Sequence, residues 1–174
     1  MEIHLSPYIG KQETAMVKAL YPGTFDPVHN GHIDIVTRSA RLFEKVFVGV
    51  YEKPEKPALF STGDRVSMFK QSVENIPNVI VQSFTGLAVN YAHKVGAVFI
   101  LRGLRAGFDF ETEFEMALMW RKLSPEIDVL CMMASLENQF IHSSRLKEVV
   151  RLGANVSDLV PQHVVKKLNE NIKN

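Results

Sequence analysis

Five short apolar runs punctuate this chain, at 17–21, 46–51, 79–82, 97–101 and 127–133. Each is rich in β-branched or aromatic residues and shorter than a typical helix, so each predicts a strand. Between them, apolar positions recur with helical spacing near 31–43, 62–75, 87–95 and 108–123. After the last strand the pattern predicts two more helices, 143–152 and 161–171, the second with Pro161 in its first turn. Ser61 or Thr62 can cap the second helix, and Pro125 ends the fourth. Strands alternating with helices predict βαβ units. Runs this continuous suit parallel strands covered on both faces. The expected fold is therefore α/β, a doubly wound five-stranded parallel sheet followed by C-terminal helices, in a single domain.

Composition narrows the function classes. A length of 174 residues with 46% apolar and 22% charged residues suits one soluble domain. A formal charge of +1 gives no global attraction to nucleic acid or anionic lipid, so neither is expected as a partner. No apolar stretch approaches the roughly 20 residues that span a bilayer. The start, Met-Glu-Ile-His-Leu-Ser-Pro, lacks the basic and apolar regions of a secretory signal. Cys131 is the only cysteine and sits in an apolar run, so a buried, reduced thiol and a cytoplasmic location are expected. Residues 1–15 are polar and without period, and are expected to be an added or disordered tail or the product of an upstream start codon.

Candidate chemistry concentrates in Tyr21-Pro22-Gly23-Thr24-Phe25-Asp26-Pro27-Val28-His29-Asn30-Gly31-His32. The order reads as strand, tight turn and helix start. A helix start presents unpaired N–H groups and a positive dipole end, which suits a phosphate. Gly23 and Gly31 allow close approach where a Cβ would collide. His29 and His32, three apart, project from one side of the first turn. Asp26 is expected to cap the turn rather than to bind magnesium. A second cationic group, Arg102 and Arg105 around Gly103-Leu104, directly follows the fourth expected strand. Both groups therefore fall at the carboxyl edge of the sheet, where ligands of open α/β sheets bind. The first turn lacks Gly-x-Gly-x-x-Gly, which disfavours a nicotinamide-dependent dehydrogenase.

The first string resembles the GTFDPxHxGH signature of the HxGH nucleotidyltransferase superfamily. Arg102-Gly103-Leu104-Arg105 with Asp109-Phe110-Glu111-Thr112-Glu113 narrows the resemblance to the phosphopantetheine adenylyltransferase family, over the chain from about Lys18 to the last helix. The resemblance implies a Rossmann-like fold and transfer of the adenylyl group of ATP to 4′-phosphopantetheine. The products are dephospho-coenzyme A and pyrophosphate, the penultimate step of coenzyme A synthesis.

It also implies roles. Thr24 holds phosphates of both substrates, and His32 donates to the α-phosphate. Lys56, in the proline-stiffened loop Glu52–Pro57, binds phosphate, with Lys53 the competing choice. Arg102 takes the phosphate of phosphopantetheine, and Leu87 and Ala88 line its arm. Arg105 takes the polyphosphate of ATP, and Glu113 faces the ribose. Phe25, Gly103, Leu104 and the segment Asn138-Gln139-Phe140-Ile141-His142-Ser143-Ser144 complete the ATP site. Phe110, Phe114 and Leu118 are read as core.

The third block departs from the family run of an aromatic residue followed by Ser-Phe-Ile-Ser-Ser-Ser. Asn138 replaces the aromatic, and His142 and Arg145 replace serines. Trp120 stands where a smaller polar residue is common, Thr112 where tyrosine is, and His29 where many relatives have threonine. The resemblance further implies magnesium carried with ATP, no dedicated protein metal ligands, feedback by coenzyme A and a homo-oligomer, a hexamer in relatives. Two alternatives stay open. One is a sister transferase acting on nicotinamide mononucleotide, or on glycerol 3-phosphate with CTP. The other is a noncatalytic nucleotide sensor.

Overall fold

The computed structural model describes residues 17–54, 57–105 and 107–172. The expected tail and Lys56 lie outside the described residues. Five strands, β1 (Lys18–Gly23), β2 (Lys45–Tyr51), β3 (Val79–Phe84), β4 (Phe99–Leu104) and β5 (Asp128–Met133), form one parallel sheet in the order β3-β2-β1-β4-β5. The helices are α1 (Asn30–Ser39), α2 (Thr62–Ser72), α3 (Ala88–Val95), α4 (Gly107–Leu123), α5 (Ser143–Arg151) and α6 (Gln162–Ile172). No helix among the described residues is long and apolar enough to cross a membrane.

Alternation along the strands sorts side chains onto two faces. Ala19, Tyr21, Val46, Val48, Val50 and Leu101 pack with residues of α1, α2, α5 and α6. Leu20 and Ile100 point the other way, into a smaller core with α3 and Trp120 of α4. From β1 the chain winds outward through β2 and β3, then returns to the opposite side of β1 as β4. The strand order thus switches between β1 and β4, and a crevice opens beyond their carboxyl ends. Both candidate motifs stand there.

Three expectations need correction. The fourth strand runs Phe99–Leu104, so Arg102, Gly103 and Leu104 are strand residues rather than a turn after it. They are drawn into the sheet because β5 pairs with them as far as Leu104↔Met133. The first helix stops at Ser39, short of Phe43, because the Asn78 side chain donates to the Ala40 and Phe43 carbonyls and bends the chain toward β2. Cys131 is exposed, not buried, because β5 is an edge strand whose outer end is uncovered.

Helix α4 overturns a fourth. Phe110, Phe114 and Leu118 are 53%, 51% and 53% exposed, so they are not core. The stripe turned inward is Asp109, Glu113, Ala117 and Trp120. Two carboxylates on that stripe meet two arginines of β4 and its end, and this pairing, together with burial of Trp120, orients the helix.

Candidate active site

The switch-point crevice is a cleft of about 460 Å³, lined among others by Thr24, His32, Arg102, Arg105, Asn138 and Lys147. Its floor is the turn after β1. Phe25 folds back over Gly23, where an added Cβ would meet the Phe25 ring at 2.6 Å. Phe25 itself takes φ +50°, the left-handed region that a bulky residue rarely adopts. Packing holds it there, since its ring lies edge-on to Phe69 at 4.7 Å and to His32 at 5.0 Å.

His29 and His32 begin α1 with rings stacked 3.6 Å apart. The backbone N–H of His29 donates to His32 Nδ1 at 3.3 Å. Nδ1 being the acceptor, the neutral ring carries its proton on Nε2. Burial pushes the His32 pKa well below the ordinary imidazole value, and His29, Arg105 and Arg102 push the same way. Burial likewise takes His29 down to about 3. Both ring nitrogens of His29 are buried with no hydrogen-bond partner among the described residues. The helix start therefore presents a neutral Nε2–H donor instead of an imidazolium. Tyr21, at the same edge, is pushed up to about 12 by burial and stays a phenol.

Two arginines face this helix start. Arg102 grips Glu113 with both fork nitrogens, at 2.5 and 2.6 Å, and donates to the Pro22 carbonyl at 3.2 Å. Its guanidinium lies 5.8 Å from the Trp120 ring centroid. Arg105 donates to Asp109 through Nε at 2.9 Å and Nη2 at 3.2 Å. Burial tends to raise the Asp109 pKa, but the hydrogen bonds and charge of Arg105 outweigh it and hold the carboxyl below the ordinary range.

Asp26 does not cap its own turn. It accepts from the Leu59 and Phe60 N–H groups at 2.8 and 2.9 Å and from Lys147 Nζ at 2.5 Å. It thereby ties the loop after β2, and α5, to the turn after β1. Arg65, almost wholly buried, is a second tie, donating to the Thr24, Tyr51 and Phe60 carbonyls.

Thr24, Phe25, His32, Arg102, Gly103, Arg105, Glu113, Asn138 and Ser143 are brought together at the cleft, and Ser143 Oγ donates to the Pro27 carbonyl at 2.9 Å. Others are not. Ile141 is core, Phe140 is 63% exposed, and Gln139 turns back to the Ala134 carbonyl. Leu104, Leu87, Ala88 and Ser144 do not line the cleft, although Leu87 and Ala88 stand at the same sheet edge, at the start of α3. Lys53 is exposed outside the lining, while Pro54, Pro57 and Ala58 of its loop line it. His142 reaches the site through Arg105, whose Nη1 lies 2.7 Å from His142 Nδ1. Lys147 was missed. Its signal was its place four residues after Ser143, on the same side of α5.

The cleft carboxylates, Asp26 and Glu113, are each engaged by backbone amides, Lys147 or Arg102. Among the described residues, that donor set does not offer a divalent cation free carboxylate ligands.

A parallel sheet with this order and a phosphate-suited cleft at its switch point define a nucleotidyltransferase of the cytidylyltransferase-like class, whose family model matches residues 20–149. A solved lipopolysaccharide core biosynthesis protein from Thermoplasma volcanium shares the fold, with TM-score 0.50 and 23% identity over 69% of this chain and 97% of that one. The phosphopantetheine adenylyltransferase of Thermomicrobium roseum is 52% identical over 154 residues, 87% of this chain and 92% of the relative. Those of Dictyoglomus turgidum and Clostridium kluyveri are 45% and 44% identical, each over 91% of this chain and 99% of the relative. The chain belongs to the phosphopantetheine adenylyltransferase family.

Proposed function

We propose that the chain transfers the adenylyl group of ATP to 4′-phosphopantetheine, releasing pyrophosphate and forming dephospho-coenzyme A. The observation that carries this reading is that His32 at the start of α1, its Nδ1 accepting from the His29 N–H so that Nε2 is left to donate, lines one cleft with Arg102 and Arg105. The acceptor's phosphate is already an anion and needs no base. What the reaction needs is two anions held in line and charge offset at the α-phosphate as pyrophosphate departs.

In this reading Arg102 receives the acceptor phosphate, with Glu113 and Trp120 fixing its plane. Arg105, Ser143 and Lys147 face the polyphosphate of ATP. His32 donates its Nε2–H to an α-phosphate oxygen, more strongly as charge grows there, and remains neutral throughout. Thr24 and Lys56 supply further phosphate contacts. Magnesium enters with ATP and neutralises part of the triphosphate charge.

We also propose a cytoplasmic location, a homo-oligomer, a hexamer as in relatives, and coenzyme A as feedback ligand. The exposed apolar face of α4 supports the oligomer. The departures at Asn138, His142 and Trp120 leave the cleft arginines in place, which favours an enzyme over a sensor.

A pyrophosphate-release assay over four pairs tests the reading: ATP with 4′-phosphopantetheine, ATP with nicotinamide mononucleotide, CTP with glycerol 3-phosphate, and ATP alone. Release with the first pair only is expected. Release with another acceptor and none with phosphopantetheine would assign a sister activity.

A further inference from the structure

His142 starts α5 and enters no step above, yet it holds the ATP-facing arginine. Arg105 Nη1 and His142 Nδ1 are 2.7 Å apart. A guanidinium has only donors and does not deprotonate, so Nδ1 must be the acceptor and His142 must be neutral with its proton on Nε2. Asp109 grips the same guanidinium from the other side through Nε and Nη2. Nη1 also lies 3.5 Å from the Ile141 carbonyl, the limit of a hydrogen bond. A guanidinium clamped on two sides has its plane and torsions fixed. Among the described residues these contacts use at most four of its five N–H groups, so a donor remains for an oxyanion in the cleft that Arg105 lines.

We propose that His142 is a positioning residue, which fixes the Arg105 guanidinium toward the nucleotide polyphosphate by accepting a hydrogen bond on Nδ1. The proposal rests on Arg105 facing ATP. It makes a residue that departs from the family's serine run responsible for how tightly this chain holds its nucleotide.

Protonating His142 would set two cations against each other at that distance and break the clamp. The charged and titratable groups facing it are Arg105 and Asp109 from the β4–α4 segment, Arg145 on its own helix and His29 at the start of α1. Burial lowers its pKa first, then Arg105 and Arg145, with Asp109 opposing. The clamp is therefore intact at neutral pH and is lost below the ordinary imidazole range.

Calorimetric titration of the full chain with magnesium-ATP, from pH 5.5 to 8.5, tests this. The proteins are the wild type, H142A, H142N, R105A and the H142A/R105A double variant. H142A should weaken ATP about tenfold at pH 8 in the Arg105 background and less than twofold in the R105A background. H142N should restore most of the affinity, because an amide oxygen also accepts and asparagine suits a helix start. The wild-type advantage over H142A should shrink as pH falls below about 6.5, while that of H142N stays level. An equal loss from H142A in both backgrounds, or no loss in either, overturns the proposal. Unchanged ATP affinity in R105A would overturn it differently, by removing Arg105 from the nucleotide site altogether.

Discussion

His29 and His32 show how a local pattern and a global environment divide the information about a site. Their spacing and the surrounding glycines were legible in the sequence, and so was the anion-friendly helix start. Their protonation was not, because it follows from burial and stacking that only the folded chain creates. Folded, both rings are neutral, with His29 held at about 3. Unfolded, each returns to about 6.5. Between those values the unfolded chain binds more protons, so this contribution to stability is complete above about pH 6.5 and drains as pH falls. The limiting slope is about 1.4 kcal/mol per pH unit for each histidine. Urea melts at pH 7 and pH 5 should show a loss of a few kcal/mol, and a His29→Asn variant a smaller one. Equal stability at the two pH values would mean that the pair is not held neutral.

At the level of elements, the strand and helix order was readable because each apolar run and each periodic segment is short and bounded. The inward stripe of α4 was not. The i, i+4 spacing of Asp109 and Glu113 already allowed pairing with Arg102 and Arg105, as found, but a period of 3.6 that marks Phe110, Phe114 and Leu118 as one face cannot say which of the two faces turns inward. Asp26 was likewise misread locally, because its partners Leu59, Phe60 and Lys147 are far along the chain. Asp26→Ala would strand two backbone N–H groups and leave the ammonium of Lys147 without its carboxylate. A loss of about 3–5 kcal/mol is expected. Hydrogen exchange at Leu59 and Phe60 should quicken more than exchange in α3. Unchanged protection there would show that the loop after β2 is held by other means.

Over the whole molecule, the convergence of the histidine helix-start motif and the arginine pair on one sheet edge was legible in the sequence, since each comes at the carboxyl end of an apolar strand run. Which helical face is left for a partner was not. The outer side of α4 and the end of β5 expose Phe110, Phe114, Leu118 and Met133, each more than half accessible. An apolar surface of this kind marks an interaction site, and copies of this chain are its expected occupants. Sedimentation should give a multiple of the 19.6 kDa subunit, six by resemblance. F114D/L118D should sediment as a smaller species, whereas a variant of exposed Arg151 should not change. A monomeric wild type would contradict the proposed assembly.

In the proposed reaction a neutral His32 donor at the start of α1 offsets charge at the transferred phosphate. The most direct measurement is steady-state pyrophosphate release by His32→Ala, read beside its ATP affinity. With the donor removed, kcat should fall at least a hundredfold while ATP binding changes only a few-fold. A kcat near that of the wild type, or a loss that appears wholly as weaker ATP binding, would contradict it.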